Sequence, residues 1–339
     1  MRLCLKLTFA FCLVLRIASP AQAQSYAIGA DVSFLAKCER DGMVFKEDGQ
    51  PKDVLVMLRE HQYNWVRLRL FHDPAAAADK LPNDLDYTLT LAKRAKSLGF
   101  HLLLDLHYSD SWADPGKQPT PEAWKKLKHK QLVEQVFTYT RDTISTFARE
   151  GVMPDMVQVG NEITNGMLWP DGKLPDNWDN FADLLKAGIR GVDAGRGAQP
   201  KPRIMIHIER SGDYDAAVWF FDNLIAHHVP FDVMGLSYYP RWHGGMRSCA
   251  AICTISRCAI GIPSSWLRRH TTGPPGTSSA KRQNFRRVRQ DRRIFCAPLM
   301  LPYARFRMGS AWEFFGGSPL PRLSCADEVS LTMTAMFCR

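Results

Sequence analysis

The chain has 339 residues and a formal charge of +10, a total that on its own would suggest a nucleic-acid partner. Its distribution excludes that reading for most of the chain. Residues 246–339 hold fourteen Arg, one Lys and four acids, a local balance of +11, so everything before Met246 sums to −1.

At the N-terminus, Arg2 and Lys6 precede the apolar run "LTFAFCLVL", and "AQA" (Ala21–Ala23) offers small residues for cleavage. This is the pattern of a secretory signal over residues 1–23, too short to span a bilayer and interrupted by Arg16. The expectation is a secreted or periplasmic protein with no membrane attachment after cleavage. About 315 residues then remain, enough for one large domain or two small ones.

From there to Gly245, short apolar segments alternate with helical ones. The predicted strands are "YAIGADVS" (26–33), "NWVRLRL" (64–70), "HLLLDLH" (101–107), "DMVQVGN" (155–161), "RIMIHI" (203–208) and "FDVMGLSYY" (231–239). Between them the apolar spacing is helical. Leu85, Leu89, Ala92 and Ala95 line one helical face, and Leu132, Val136, Ile144 and Phe147 another. Gly99 and Gly151 stand where those helices should stop. Strict strand–helix alternation predicts an α/β fold with a parallel sheet.

Polar residues collect at the strand C-terminal ends: Arg67 and Arg69, Asp105 and His107, Asn161 and Glu162, His207, and Tyr238 and Tyr239. A closed (β/α)8 barrel builds its active site on that face. An open doubly wound sheet would carry a Gly-rich phosphate turn, and neither GxGxxG nor GxxxxGKS occurs. The expected fold is therefore a TIM barrel, with six βα units readable. Trp124 and Trp178, on predicted helices, are expected to be packing residues. Trp112, Trp169 and Trp242, in loops on the polar face, are candidate sugar platforms, with packing as the alternative. Flat apolar rings suit the C–H faces of pyranoses, and nearby acids and His take the hydroxyls.

Glu162 follows an apolar run and an Asn, in "DMVQVGNEITNGMLWP". Glycoside hydrolysis commonly uses two carboxyl groups, one of them a proton donor whose pKa burial raises. Glu162 suits that acid, and Asn161 could hold the 2-hydroxyl of the sugar being cleaved.

The blocks "GADVS", "NWVRLRLFHDP", "LLLDLHYSDSWADPGKQ", "VQVGNEITNGMLWP" and "FDVMGLSYYPRWHG" together resemble glycoside hydrolase family 53, the arabinogalactan endo-β-1,4-galactanases. The resemblance runs from about Ile28 to Gly245, with the blocks in the family's order. It implies a retaining (β/α)8 barrel that acts on galactan, with Glu162 of "GNE" as acid/base. It also implies a nucleophilic Glu at the end of a seventh strand, in a block like "VVVETAY". No such block is present.

The segment 246–339 lacks strand–helix alternation and is rich in Cys, Arg, Ser and Pro, a bias expected of a GC-rich gene read out of frame. Permitted codons for "RSCAAICTISRCAIGIPSSWLRRHTTG" (247–273), read from each third base, give "ELRSNLHDLAVRYRHPIVVVETAYHW". The same offset in "MGSAWEFFGGSP" (308–319) permits "GFGVGVLRWEP", like the family's eighth-strand "WEP". The missing nucleophile would straddle the codons of Leu267 and Arg268.

The expected organisation is thus a signal (1–23), barrel strands one to six (24–245) and an out-of-frame tail (246–339). The expected function is secreted cleavage of β-1,4-galactosidic bonds, with this chain inactive for want of its nucleophile; the alternative is a non-catalytic carbohydrate-binding remnant. Cys249, Cys253 and Cys258 lack zinc spacing and a partnering His pattern, so no metal is expected, nor any cofactor. The partner is a polysaccharide, β-1,4-galactan or arabinogalactan, and the protein acts as a monomer. The Arg-rich "RRVRQDRR" (286–293) is not read as a nucleic-acid site, because that needs a folded basic surface.

Overall fold

Six short apolar segments become six parallel strands, joined in sequence order by helices. The computed structural model describes residues 27–239 and one further strand, Ala335–Cys338. The signal segment 1–23, Trp242 and the tail from 246 to 334 lie outside the described residues. The main elements are β1 (Gly29–Asp31), α1 (Leu35–Arg40), α2 (Val54–Glu60), β2 (Trp65–Leu70), α3 (Leu85–Ser97), β3 (His101–Leu106) and α4 (His129–Arg149). They continue with β4 (Met156–Val159), α5 (Trp178–Gly195), β5 (Arg203–Ile208), α6 (Tyr214–Ala226) and β6 (Val233–Ser237). The tail supplies β7 (Ala335–Cys338).

Strands β1 to β6 pair side by side in chain order, every pair parallel. The order never reverses, so the sheet has no switch point and winds one way, as a barrel does. The strand β7 is not foreshadowed by any pattern in the irregular tail. It runs antiparallel to β6, with Gly235 opposite Phe337, whereas a βα unit would deliver a parallel strand. Pairing there covers backbone groups that the last parallel strand would otherwise leave open.

Strands β2 to β6 alternate between two largely buried faces. Val66, Leu68 and Leu70 of β2, with Leu102, Leu104 and Leu106 of β3 and Ile204, Ile206 and Ile208 of β5, join the main core under the helices. The opposite residues face the inside of the curled sheet. There Trp65, Leu103, Met156, Met205 and Val233 form a second, smaller apolar cluster, one residue from each strand β2 to β6. The next inward positions are polar except on β6, where Gly235 leaves room for His207. Arg69 lies beside Asp105, Asp105 beside Gln158, and Gly235 beside His207. An apolar layer thus supports a polar one near the strand C-terminal ends.

The helices end where the sequence places their stops. Gly99 has φ +77°, and the Phe100 N–H reaches back to the Ala95 carbonyl at 3.2 Å. This closes α3 with a left-handed glycine. Asp53, Asp84 and Asp213 accept hydrogen bonds from first-turn N–H groups of α2, α3 and α6. Each such cap is worth about 1 kcal/mol. Helices α4 and α5 approach closely because Gly191 has no side chain; a Cβ there would lie 2.7 Å from that of Thr140.

Candidate active site

The inward polar layer is a buried ion network centred on Arg67. Its Nη1 donates to Asp31 at 2.6 Å, and its Nη2 to Asp105 at 2.7 Å and Asn161 Oδ1 at 2.9 Å. Arg69 donates to Asp31 at 2.8 Å, so two guanidinium groups face two carboxylates. Burial alone would raise the Asp105 pKa; Arg67, His107 and Arg69 instead bring it down to about 2. For Asp31, burial is likewise overcome, here by Arg69 and Arg67, and its pKa is lowered. Removing such charges from water is costly, and only this dense pairing makes it tolerable.

The pKa values of His107 and His207 are both lowered, which favours their neutral forms. Burial lowers the His107 pKa, against the pull of Asp105. Its Nδ1 accepts from the Ala113 N–H at 3.3 Å, which leaves Nε2 to carry the proton, 2.9 Å from Asp105. For His207, burial and then Arg67 push the pKa down to about 3.

Glu162 stands beside this network. The strand β4 ends at Val159, short of the Asn161 that the sequence pattern suggests, and Glu162 lies in the following turn with φ +49°. A left-handed conformation at a non-glycine residue is uncommon and often marks a site. Gln118 Nε2 holds the turn by donating to the carbonyls of Asp114 at 3.1 Å and Asn161 at 2.8 Å. Burial raises the Glu162 pKa; the Ser237 hydrogen bond opposes this, Glu209 adds to it, and Arg67 opposes it. Its Oε1 accepts from Ser237 Oγ at 2.5 Å. A carboxyl so placed can hold a proton and then give it up, the requirement for a general acid.

Most of the residues predicted for the site are brought together. Arg67, Asp105, Asn161 and His207 share one hydrogen-bonded network, with His107 against Asp105. Asn161 Nδ2 donates to the Ala113 carbonyl at 2.9 Å. Trp112 packs over Arg69, whose Cζ is 4.2 Å from the ring centroid. Trp169 sits on the loop after β4, its Nε1 donating to the Asn165 carbonyl and Lys173 Nζ 4.7 Å from its ring. Thr120 Oγ1 donates to the Trp169 carbonyl, tying the loops after β3 and β4 together. Tyr238 is buried and Tyr239 half-buried, just past β6. Of the two predicted packing residues, Trp124 is buried; Trp178 is partly exposed and packs on Phe181, Trp219 and His227.

Asp31, Gln158, Ser237 and Glu209 do not stand out in the sequence, yet the first three bond to the network or Glu162, and Glu209 acts on Glu162 through its charge. A usable signal exists for three of them. Asp31, Gln158 and Ser237 occupy the same inward, every-second positions as Arg67 and Asp105. Glu209 follows β5; burial raises its pKa, and Thr164 Oγ1 donates to it at 2.6 Å. Among the described residues no group of three or more His, Cys, Asp or Glu could hold a metal ion.

The sequence model of glycosyl hydrolase family 53 matches residues 27–253. A protein of Aspergillus fumigatus, a probable arabinogalactan endo-beta-1,4-galactanase A, is 39% identical over 234 residues, covering 67% of this chain and 64% of its own length. An uncharacterized protein of Niallia circulans is 42% identical over 229 residues, 65% of this chain and 61% of its own length. The solved catalytic domain of the same family from Ignisphaera aggregans superposes with a TM-score of 0.63 at 39% identity, covering 69% of this chain and 65% of that one. The chain thus spans under two thirds of the length of these relatives. Its fold is that of the (β/α)8 barrel enzymes, and the described residues build six of the parallel strands, five of them followed by a helix.

Proposed function

The chain belongs to glycosyl hydrolase family 53, and from that premise we propose that it derives from a secreted hydrolase of β-1,4-galactosidic bonds in galactan or arabinogalactan. The observation that carries this reading is Glu162: a mostly buried carboxyl with a raised pKa, in the turn just past the fourth strand and near Tyr239. Glu162 protonates the leaving oxygen while a second carboxylate attacks the anomeric carbon. As the glycosyl-enzyme then hydrolyses, ionised Glu162 takes a proton from the incoming water. Asn161 is held by Arg67 and the Ala113 carbonyl, and its amide carries a second N–H to offer the 2-hydroxyl. Trp112, Trp169 and Tyr239 are the sugar-facing residues in this reading, and Trp242, outside the described residues, is assigned the same role from the sequence. Arg67, Asp105, His107, His207 and Tyr238 hold the floor of the site in place.

The second carboxylate belongs to the block absent from residues 246–339, which we read as translated out of frame. The family match stopping at residue 253 supports this, as does a tail strand that runs against the parallel order. The chain as it stands then keeps sugar-facing loops and an acid but lacks the covalent route, and is a galactan-binding remnant without turnover. The N-terminal segment directs export, and the protein acts as a monomer.

Two proteins test the proposal side by side on β-1,4-galactan: the chain as given, and one from a gene with the frame restored near codon 245. Soluble, monodisperse chain as given should release no reducing ends above buffer. The restored protein should release them with retained anomeric configuration, read by proton NMR of the first product. Its two Glu carboxyls should lie roughly 5–5.5 Å apart. Turnover by the chain as given, abolished by Glu313→Gln, would place a nucleophile in the tail and overturn the frame argument. An inverted first product would exclude the double displacement.

A further inference from the structure

The contacts behind Glu162 form a chain with two movable parts in an otherwise fixed frame. Glu162 Oε1 is 2.5 Å from Ser237 Oγ, and Ser237 Oγ is 3.0 Å from His207 Nε2. On the far side of the ring, His207 Nδ1 lies 3.1 Å from Asn161 Oδ1 and 3.2 Å from Gln158 Nε2. The two amides are pinned. Arg67 donates to Asn161 Oδ1 while Asn161 Nδ2 donates to the Ala113 carbonyl. Arg67 also donates to Gln158 Oε1, at 3.2 Å, while Gln158 Nε2 donates one N–H to Asp105 at 2.6 Å and shares the other between the Gly160 carbonyl at 3.0 Å and His207 Nδ1. His207 Nδ1 therefore meets a fixed acceptor, Asn161 Oδ1, and a donor that it shares with the Gly160 carbonyl, at nearly equal distance. Either neutral tautomer finds a partner there. Only the Ser237 hydroxyl and the His207 proton are free to change.

We infer that Ser237 and His207 are a relay that couples the protonation of Glu162 to the tautomer of His207, and so to the load on Asn161. With Glu162 protonated, its O–H donates to Ser237, Ser237 donates to His207 Nε2, and His207 Nδ1–H donates to Asn161 Oδ1. With Glu162 ionised, Ser237 donates to the carboxylate, His207 Nε2–H donates to Ser237, and Gln158 donates to the bare Nδ1. The protons balance. The Glu162 proton leaves to the acceptor oxygen, the imidazole exchanges its Nδ1 proton for one on Nε2 through solvent water, and the site loses one proton in all. Keeping the Nδ1–H tautomer after ionisation would set the Nε2 lone pair against the Ser237 oxygen with no hydrogen between them.

The relay works by tautomer and not by imidazolium, since burial and Arg67 hold the His207 pKa to about 3. Glu162 is also faced by Glu209 after β5, Asp114 of the loop after β3, Tyr239 after β6, and Arg67. Around His207 stand Arg67, Arg69, Asp105 and His107. Arg67, Arg69 and Asp105 keep one charge throughout, and Glu209 titrates on the far side of Thr164 rather than in the chain. Ser237 and His207 are thus positioning residues. They satisfy both states of the acid/base without moving the backbone.

The catalytic meaning rests on reading Glu162 as the acid/base, but the test needs no turnover. The full chain, labelled with ¹⁵N in histidine and ¹³C in the Glu carboxyls, is titrated by NMR. The His207 ring is assigned through its ring couplings and by loss of its signals in His207→Gln. The expected result is that Nδ1 changes from a protonated to an unprotonated nitrogen signal, with Nε2 changing the other way, at the Glu162 midpoint. In Ser237→Ala, Glu162 should still titrate while the His207 tautomer stays constant. In Glu162→Gln the tautomer should be independent of pH. A constant His207 tautomer across the Glu162 titration of the unsubstituted chain overturns the relay, as does a switch that persists in either variant. Galactan hydrolysis by the restored protein, with no tautomer change, would sink the relay and leave the functional reading intact. A tautomer change without hydrolysis would do the reverse.

Discussion

Arg67→Met tests whether the polar floor is held by charge or merely by shape. Met occupies much of the same volume but leaves Asp31 and Asp105 facing a single guanidinium, that of Arg69. In the folded protein the Asp105 pKa is about 2, against 3.8 as the ordinary value. A depression of nearly two pH units corresponds to about 2–3 kcal/mol at neutral pH. Breaking a buried pair by removing one partner costs about 3–5 kcal/mol, and the two figures describe overlapping effects. The expected loss near neutral pH is therefore about 3–4 kcal/mol. Because the folded pKa is depressed, this stabilisation is fully present above 3.8 and disappears as pH falls towards about 2. Urea unfolding of the soluble chain and its variant should show the gap near pH 7 shrinking by about half or more near pH 3. Arg67→Met combined with Asp105→Asn should recover a good part of it. A loss below about 1 kcal/mol, or one that does not change with pH, would refute the reasoning, since only a surface pair behaves that way.

Three further outcomes follow from the geometry. In the frame-restored protein, Glu162→Gln should slow galactan cleavage by roughly 10²–10⁴-fold while sparing the glycosylation step on activated aryl galactosides; equal losses on both substrates would mean that Glu162 is not the acid. Glu209 has a raised pKa, so its buried ionisation costs stability as pH rises above the ordinary value of 4.5. Glu209→Gln should match the parent below that pH and exceed it in urea midpoint above it, and should lower the Glu162 midpoint read by carboxyl NMR. Gly235→Ala would set a Cβ 2.8 Å from Met205 Sδ and 3.0 Å from His207 Cδ2. It should cost about 1–3 kcal/mol of stability and displace the His207 ring signals, read by thermal unfolding and NMR.

The strand–helix alternation, its order and the polar strand ends are legible in the amino-acid sequence, because burial on both faces of a parallel sheet writes apolar runs with few exceptions. Arg67, Asp105 and His207 are such exceptions, and a charge or an imidazole inside an apolar strand needs a reason to be there. Glu162 is legible through its neighbours in "GNE", although its left-handed turn is not. The strand β7 is not legible: four residues pair with a strand distant in sequence, and nothing local encodes that.

What the sequence could not supply is who meets whom across the curl of the sheet. Asp31, Gln158 and Ser237 are ordinary polar residues in their own strands. They become part of one network only because parallel pairing brings alternate positions of neighbouring strands inward together. Trp112 reads as an open platform in a loop, yet one contact of its ring is with Arg69. Glu162 reads as a lone acid, yet its proton affinity depends on burial, Ser237, Glu209 and Arg67, which come from different parts of the chain. Periodicity along a strand determines which side a residue takes. Distances between strands determine what it meets there, and the proton on Glu162 answers to those distances.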